Sequence, residues 1–190
     1  MENIYLSIYS FGYSAGFIED KRRSNDECLK PESLIDICNK YGLGGIEIPI
    51  DRYFPKYDLD GIVKLFKQFY TNDLGIKIDF ENYSEKYIKK IIPIIKDFGN
   101  DFLRVKVSDF YGSNRYKHSQ FNLHLEHFYQ FLENILPILQ KNNFKILVEN
   151  HQDIILEDYY RIWEKFPKEL VRVNWDIGNS LPSLEDPNDF

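Results

Sequence analysis

Two strand-like segments in the second half of the chain each end in a carboxylate. Glu149 and His151 close the segment that begins at Lys145, and Asp176 closes the segment that begins at Val171. Side chains two positions apart on a strand share a face, so Glu149 and His151 point the same way. Carboxylate oxygens with an imidazole suit Mn²⁺, Mg²⁺, Co²⁺ or Zn²⁺. If the two strands are parallel neighbours, the pattern predicts a divalent-cation site at the mouth of a parallel barrel.

The same carboxylates also have a structural interpretation. The polar faces of the predicted strands carry basic side chains as well, namely Lys77, Arg104 and Lys106. A carboxylate inside a protein is normally paired with a cation, because an isolated buried charge is costly. Glu149 and Asp176 could therefore hold a charged barrel interior together instead of a metal ion. The motif alone leaves both interpretations open.

Strand patterns and helical patterns alternate along the chain. Period-two patterns predict strands near residues 3–9, 45–49, 75–80, 102–108, 145–150 and 171–176. Apolar residues recurring at helical spacing predict helices near residues 32–41, 58–73, 84–98, 119–142 and 153–165. This alternation is typical of an α/β fold with a parallel sheet.

Each predicted strand has one apolar face and one polar or charged face. In the fifth strand, for example, Ile146 and Val148 alternate with Glu149. The strands of a doubly wound sheet are apolar on both faces, because helices cover both sides. The alternation therefore favours a TIM-type (β/α) barrel with outer helices. The glycine-rich residues 42–45 precede a strand, which makes them an αβ turn and not a phosphate-binding loop.

The strand count is lower than a full barrel needs. A TIM barrel has eight strands and typically ~250 residues, whereas this chain has 190 residues and six predicted strands. We expect a single domain over residues 1–190 that carries the first six strands of eight and is incomplete at its C-terminus. Exposed edges of such a sheet invite pairing, so we expect a homo-oligomer or a partner that completes the barrel.

Composition excludes several classes of partner. The net charge of −6, with basic residues scattered among acids, does not provide the field that nucleic-acid binding needs. Two cysteines do not form a disulfide framework in a chain of this size. No apolar run approaches the ~18 residues of a membrane span, and no signal peptide is recognisable. We expect a cytoplasmic protein with a small-molecule substrate and without a nucleic-acid or membrane partner.

The sequence resembles the xylose isomerase-like TIM barrels, which include sugar phosphate isomerases and epimerases. The segments that carry this resemblance are residues 5–12, 41–48, 148–151 and 175–179. The resemblance implies that Glu149 and Asp176 are metal ligands. In that family a His and a second Glu from the last two strands complete the site, and this chain has no counterpart of either.

The resemblance implies a divalent-metal-dependent isomerase or epimerase of a sugar or sugar phosphate. In the mechanism that the resemblance implies, Glu149 would remove a carbon-bound proton, and the metal would supply Lewis acidity that stabilises the resulting enediolate. A dehydratase of an inosose-like or shikimate-like ketone is an alternative on the same barrel. A non-catalytic barrel fragment that needs a partner is a third interpretation.

Five residues are candidates for binding the carbohydrate. His151 is expected to hydrogen-bond the substrate or orient Glu149, with a packed structural histidine as the alternative. Glu47 and Lys106 are candidates for contacts with substrate oxygens, with interior ion pairs as the alternative. Asn179 occupies a position where many sugar epimerases of the family have a His. The ring of Tyr9 is expected to wall a sugar pocket, with plain loop packing as the alternative.

Overall fold

The computed structural model describes residues 4–12, 14–15, 29–54, 58–81, 84–108, 120–180, 182 and 186. The chain divides into two compact units. The first comprises Met1–Asp79 and Asp97–Asn100, and the second comprises Phe80–Lys96 and Asp101–Phe190. Residues 3 and 119, which bound two of the predicted elements, lie outside the described residues.

Parallel strands β1 (Tyr5–Ser7), β2 (Gly45–Pro49) and β3 (Gly75–Phe80) form the sheet associated with the first unit. Ile46 of β2 lies opposite Leu6 on one side and Ile76 on the other. The helices described in this unit are α1 (Ile35–Tyr41), α2 (Ile50–Tyr53) and α3 (Leu59–Tyr70), with short 3-10 helices at Ile8–Phe11 and Pro31–Leu34.

Helix α3 shows how the sequence specifies an element of this unit. The carboxylate of Asp58 accepts a hydrogen bond from the Gly61 N–H at 3.0 Å, which satisfies a backbone donor that the first helical turn leaves open. Apolar residues spaced three and four apart occupy one face of the helix. All of them are buried: Ile62, Leu65, Phe66 and Phe69.

The second unit contains the parallel strands β4 (Phe102–Val105), β5 (Lys145–Glu149) and β6 (Val171–Asn174). Its described helices are α4 (Glu85–Asp97, whose last residue belongs to the first unit), α5 (Phe121–Asn142), α6 (Leu156–Lys165) and the one-turn helix α7 (Ile177–Ser180). No helix in the part of the chain that the structure describes is both long enough and apolar enough to cross a bilayer.

The sheet of the second unit has the two faces that the sequence predicts. On one face the apolar side chains are fully buried: Leu103, Val105, Ile146 and Val148. The alternate residues point to the other face, and Arg104, Leu147 and Arg172 lie side by side there in the parallel register. This polar face leads to Glu149 at the carboxyl end of β5.

Four of the six strands, β1, β4, β5 and β6, end earlier than predicted, whereas β2 and β3 end where the sequence predicts. β1 stops at Ser7 and the chain enters a 3-10 helix, so Tyr9 does not lie in a strand. β6 stops at Asn174, and Trp175, which continues the apolar alternation of Val171 and Val173 in the sequence, is 45% exposed. The reason is local, because the Asp176 carboxylate accepts the Gly178 N–H at 2.9 Å and so begins helix α7.

Candidate functional site

Two carboxylates of the second unit contact the same amide group. Glu149 is the last residue of β5, and Asp176 lies two residues beyond the end of β6. The Asn179 side chain donates from Nδ2 to Oδ2 of Asp176 at 3.0 Å and to Oε1 of Glu149 at 3.5 Å. One oxygen of each carboxylate is therefore within 3.5 Å of a single nitrogen. The structure brings together three of the residues that the sequence indicated.

The second oxygen of Glu149 belongs to an ion pair. Arg104, on the neighbouring strand β4, places Nη1 2.7 Å from Oε2 of Glu149. This is the structural role that the sequence left open for Glu149. The ion pair and a cation site are compatible, because Arg104 contacts Oε2 whereas Oε1 is directed at Asn179.

The Asp176 backbone is held by the side chain of Asn150. The Asp176 N–H donates to Oδ1 of Asn150 at 2.6 Å, and Nδ2 of Asn150 donates to the Asp176 carbonyl at 2.9 Å. Asp176 itself is exposed, and its two carboxylate oxygens accept hydrogen bonds from Gly178 and Asn179. The backbone of Asp176 is thus fixed by Asn150, directly after β5, and its side chain by residues of α7.

Gln152 sets the orientation of the Asn179 amide. Its Nε2 donates to Oδ1 of Asn179 at 3.1 Å, so the amino group of Asn179 is turned toward the two carboxylates. The backbone of Gln152 has a φ of 64°, a left-handed conformation that residues other than glycine seldom adopt. A sharp turn just after β5 therefore aims this side chain at Asn179.

Asp153 links the loops that follow β4 and β5. Its Oδ2 accepts the Ser108 N–H at 2.7 Å and the Ser108 hydroxyl at 2.9 Å. The side chain is fully buried. Burial raises the pKa of Asp153 to about 7, and the negative charge of Glu149 acts in the same direction. The two hydrogen bonds from Ser108 lower the pKa but do not cancel the effect of burial.

The remaining predicted residues lie just after β4 and β5 or in the first unit. Lys106 directly follows β4 and His151 follows β5, and both are half-buried. In the first unit, Glu47 lies opposite Lys77 in the register of β2 and β3. The Tyr9 hydroxyl donates to Oδ2 of the buried Asp79 at 2.5 Å, so its polar end is already engaged.

Several residues of the site escaped the sequence analysis. Asn150, Gln152, Asp153 and Asp79 form contacts that depend on tertiary structure and that no local sequence pattern specifies. The sequence does carry a signal for Asn150. It shares the alternation of Ile146 and Val148, so it is a polar residue in line with an apolar face, and such a residue needs buried hydrogen-bond partners.

The donor set fits part of a divalent-cation site. Glu149 and Asp176 provide hard carboxylate oxygens, the ligands that Mg²⁺ and Mn²⁺ prefer. Asn179 Nδ2 lies between these oxygens, where positive charge is favoured. Among the described residues, however, no group of three or more His, Cys, Asp or Glu side chains is placed to hold a metal ion.

Comparisons with known proteins identify the fold. No protein-family model matches the sequence, and no curated protein matches it either. Among solved structures, the chain is similar to a xylose isomerase-like TIM barrel protein from Mycobacterium smegmatis in complex with magnesium, with 14% identity and a TM-score of 0.60. The chain has a TIM-barrel fold. The prediction of an α/β, TIM-type barrel with parallel strands and outer helices is therefore confirmed.

The match covers nearly all of this barrel and a smaller part of its neighbour. It extends over 93% of this chain and 65% of the other. At 14% identity the likeness concerns the fold alone, and magnesium is a component of the neighbour's crystal structure.

Proposed function

We propose that this barrel is a divalent-metal-dependent isomerase or epimerase of a sugar or sugar phosphate, located in the cytoplasm. The observation that carries the proposal is the approach of Glu149 and Asp176 to the Asn179 amide. These residues lie at the carboxyl ends of parallel strands, where enzymes with this fold have their active sites. The similarity to a barrel crystallised with magnesium adds support.

Glu149 and Asp176 would hold the metal ion, which supplies Lewis acidity toward the oxygens of the bound sugar. Glu149 acts as the base and takes a proton from the carbon next to the carbonyl. The sugar becomes an enediolate, and return of the proton to the neighbouring carbon or to the opposite face gives the isomer or the epimer. Arg104 keeps the Glu149 carboxylate in a fixed orientation through its ion pair.

The substrate contacts complete the proposal. His151 and Lys106, at the ends of β5 and β4, donate hydrogen bonds to sugar oxygens, and Asn179 contacts the substrate or the ion from α7. Within the first unit, Glu47 and Tyr9 are proposed as residues that contact carbohydrate.

A second candidate is a barrel that requires a partner to become active. Two acidic ligands leave a divalent cation with an incomplete protein shell, and the described residues contain no larger ligand group. A second copy of the chain or a partner that completes the barrel would supply the rest. In the chain without such a partner, the Arg104–Glu149 ion pair stabilises the fold.

Titration calorimetry with Mn²⁺ tests the metal-dependent function. We expect the wild type to bind Mn²⁺, and Glu149→Gln and Asp176→Asn each to abolish binding. Asp101→Asn is the matched control, because Asp101 is also an ion-paired carboxylate of the second unit but lies before β4. It should bind like the wild type. A folded wild type that does not bind Mn²⁺ would overturn metal dependence in this chain.

Activity is then assayed with aldoses, ketoses and their phosphates in deuterated water. Exchange of a carbon-bound proton together with formation of an isomer supports the proposed reaction. Formation of a conjugated product that absorbs in the ultraviolet would instead indicate a dehydratase.

A further inference from the structure

The segments that contain β5 and β6 stay paired beyond the last residues of the two strands. Glu149 lies opposite Asn174 at the end of the register, and the Asn150 N–H donates to the Asn174 carbonyl at 3.4 Å. After this point the side chain of Asn150 replaces the backbone. Its carboxamide accepts from the N–H of Asp176 at 2.6 Å and donates to the carbonyl of Asp176 at 2.9 Å. A carboxamide can do this because it offers the same donor and acceptor as a peptide group.

The Asn150 side chain has no spare donor. Its amino group also lies 3.3 Å from Oγ of Ser180 in helix α7, so both of its N–H groups have a partner. Asn150 is only 1% exposed. A buried amide in which each N–H and the carbonyl oxygen are used specifies one geometry, because any displacement leaves a buried polar group unsatisfied.

We propose that Asn150 is a positioning residue that fixes Asp176 beside Glu149. Asp176 lies beyond the end of β6 and is exposed, so its place is set by these side-chain contacts and by the turn into α7. Asn150 follows Glu149 directly in the chain, so one short segment both carries the first carboxylate and holds the second. As far as cation binding is concerned, the inference rests on the proposed function.

Two substitutions of Asn150 distinguish the positioning of Asp176 from the mere presence of a polar side chain at position 150. Alanine removes all three side-chain hydrogen bonds. Glutamine keeps the amide but is one methylene longer, so it cannot meet both backbone groups of Asp176 without moving them. Asn100→Ala is the matched control, because Asn100 is also a buried asparagine, 4% exposed, and precedes β4 in the chain.

Two measurements on the full chain test the inference: amide hydrogen exchange at Asp176 by NMR, and the Mn²⁺ dissociation constant by calorimetry. In Asn150→Ala we expect the Asp176 N–H to lose its protection and the affinity for Mn²⁺ to fall about 10- to 100-fold, as for other residues that orient metal ligands. Asn150→Gln should fold because it keeps the amide, and it should show the same two losses. Asn100→Ala should change neither quantity.

The two measurements also separate the inference from the proposed function. If the wild type does not bind Mn²⁺ but the Asn150 variants lose protection at Asp176, positioning stands and metal dependence fails. Unchanged exchange at Asp176 in a folded Asn150→Ala or Asn150→Gln variant would overturn positioning. Full Mn²⁺ affinity in a folded variant that has lost the protection would overturn the link to cation binding.

Discussion

Arg104 Nη1 lies 2.7 Å from Glu149 Oε2, and the two side chains are only 13% and 7% exposed. This ion pair joins neighbouring strands β4 and β5 and places a positive charge beside one carboxylate of the proposed cation site. Arg104 therefore stabilises the fold and also adds a positive charge near the place where the cation is proposed to bind. Substitution of Arg104 should reveal both effects.

We predict that Arg104→Gln lowers the free energy of unfolding by about 3–5 kcal/mol, because it leaves a largely buried carboxylate without its cation. At temperatures where the variant is folded, its affinity for Mn²⁺ should rise about tenfold, since a nearby positive charge is gone. Urea unfolding and calorimetry measure the two quantities. Lys145→Met is the control, because its partner Asp101 is 45% exposed and such pairs contribute less than about 1 kcal/mol. Equal effects of both variants would contradict the prediction.

Asn179 separates the two carboxylates with a neutral donor, so its replacement by an acid should convert the pair into a cluster of three. We predict that Asn179→Asp lowers the Tm of the metal-free protein through charge repulsion and raises the affinity for Mn²⁺. Added Mn²⁺ should therefore increase the Tm more than in the wild type. Asn122→Asp, an exposed change on α5 with the same charge, should do neither. A metal-independent Tm in Asn179→Asp would argue against a cation position between the carboxylates.

Asp153 should make stability depend on pH. Its pKa is raised from 3.8 to about 7 by burial, so between these values the folded protein binds more protons than the unfolded chain. The free energy of unfolding should thus fall as pH rises from about 4 to 7, by an amount on the order of 4 kcal/mol, and level off above that pH. Asp153→Asn keeps an acceptor for Ser108 and should remove this slope in urea unfolding between pH 4.5 and 8.5. Asp60→Asn, an exposed change on α3, should retain it.

Gly45 should tolerate no side chain. Its φ is 144°, and a Cβ built there would lie 1.9 Å from the carbonyl oxygen of Gly75 on the neighbouring strand. We predict that Gly45→Ala costs about 3 kcal/mol or more in the free energy of unfolding, because backbone cannot move aside as a flexible side chain can. Gly42→Ala is the control. Gly42 also has a positive φ, but a Cβ built there would meet no atom within 4 Å. It should cost about 1–2 kcal/mol.

The sequence was sufficient to predict the approach of Glu149 and Asp176. Alternation of apolar and polar residues defined the faces of β5 and β6, and parallel neighbouring strands end at the same edge of a sheet. The two carboxylates had to meet there once this topology was assumed. The exact end of β6 is harder to predict from the sequence, because it depends on whether Asp176 begins a helical turn or continues the strand.

Other parts of the site depend on contacts that no local pattern specifies. The bond between Asp153 and Ser108 joins residues 45 positions apart, and the Asn179 amide is oriented by Gln152 from a left-handed turn. Asn179 was expected to contact a substrate, and its contacts with both carboxylates follow from the position of α7. Asn150 could have been recognised as a polar residue in line with an apolar face, but its partner could not.

The exposure of Trp175 gives the protein a natural optical reporter. The chain contains two tryptophans. The indole of Trp163 is half-buried and donates to the Val171 carbonyl at 2.8 Å. Trp175 is 45% exposed and adjoins Asp176, and its Nε1 lies 3.4 Å from Ser180 Oγ. Collisional quenchers in solution should therefore reach Trp175 first. In a Trp163→Phe variant, the remaining fluorescence would report events at the end of β6 without any added label.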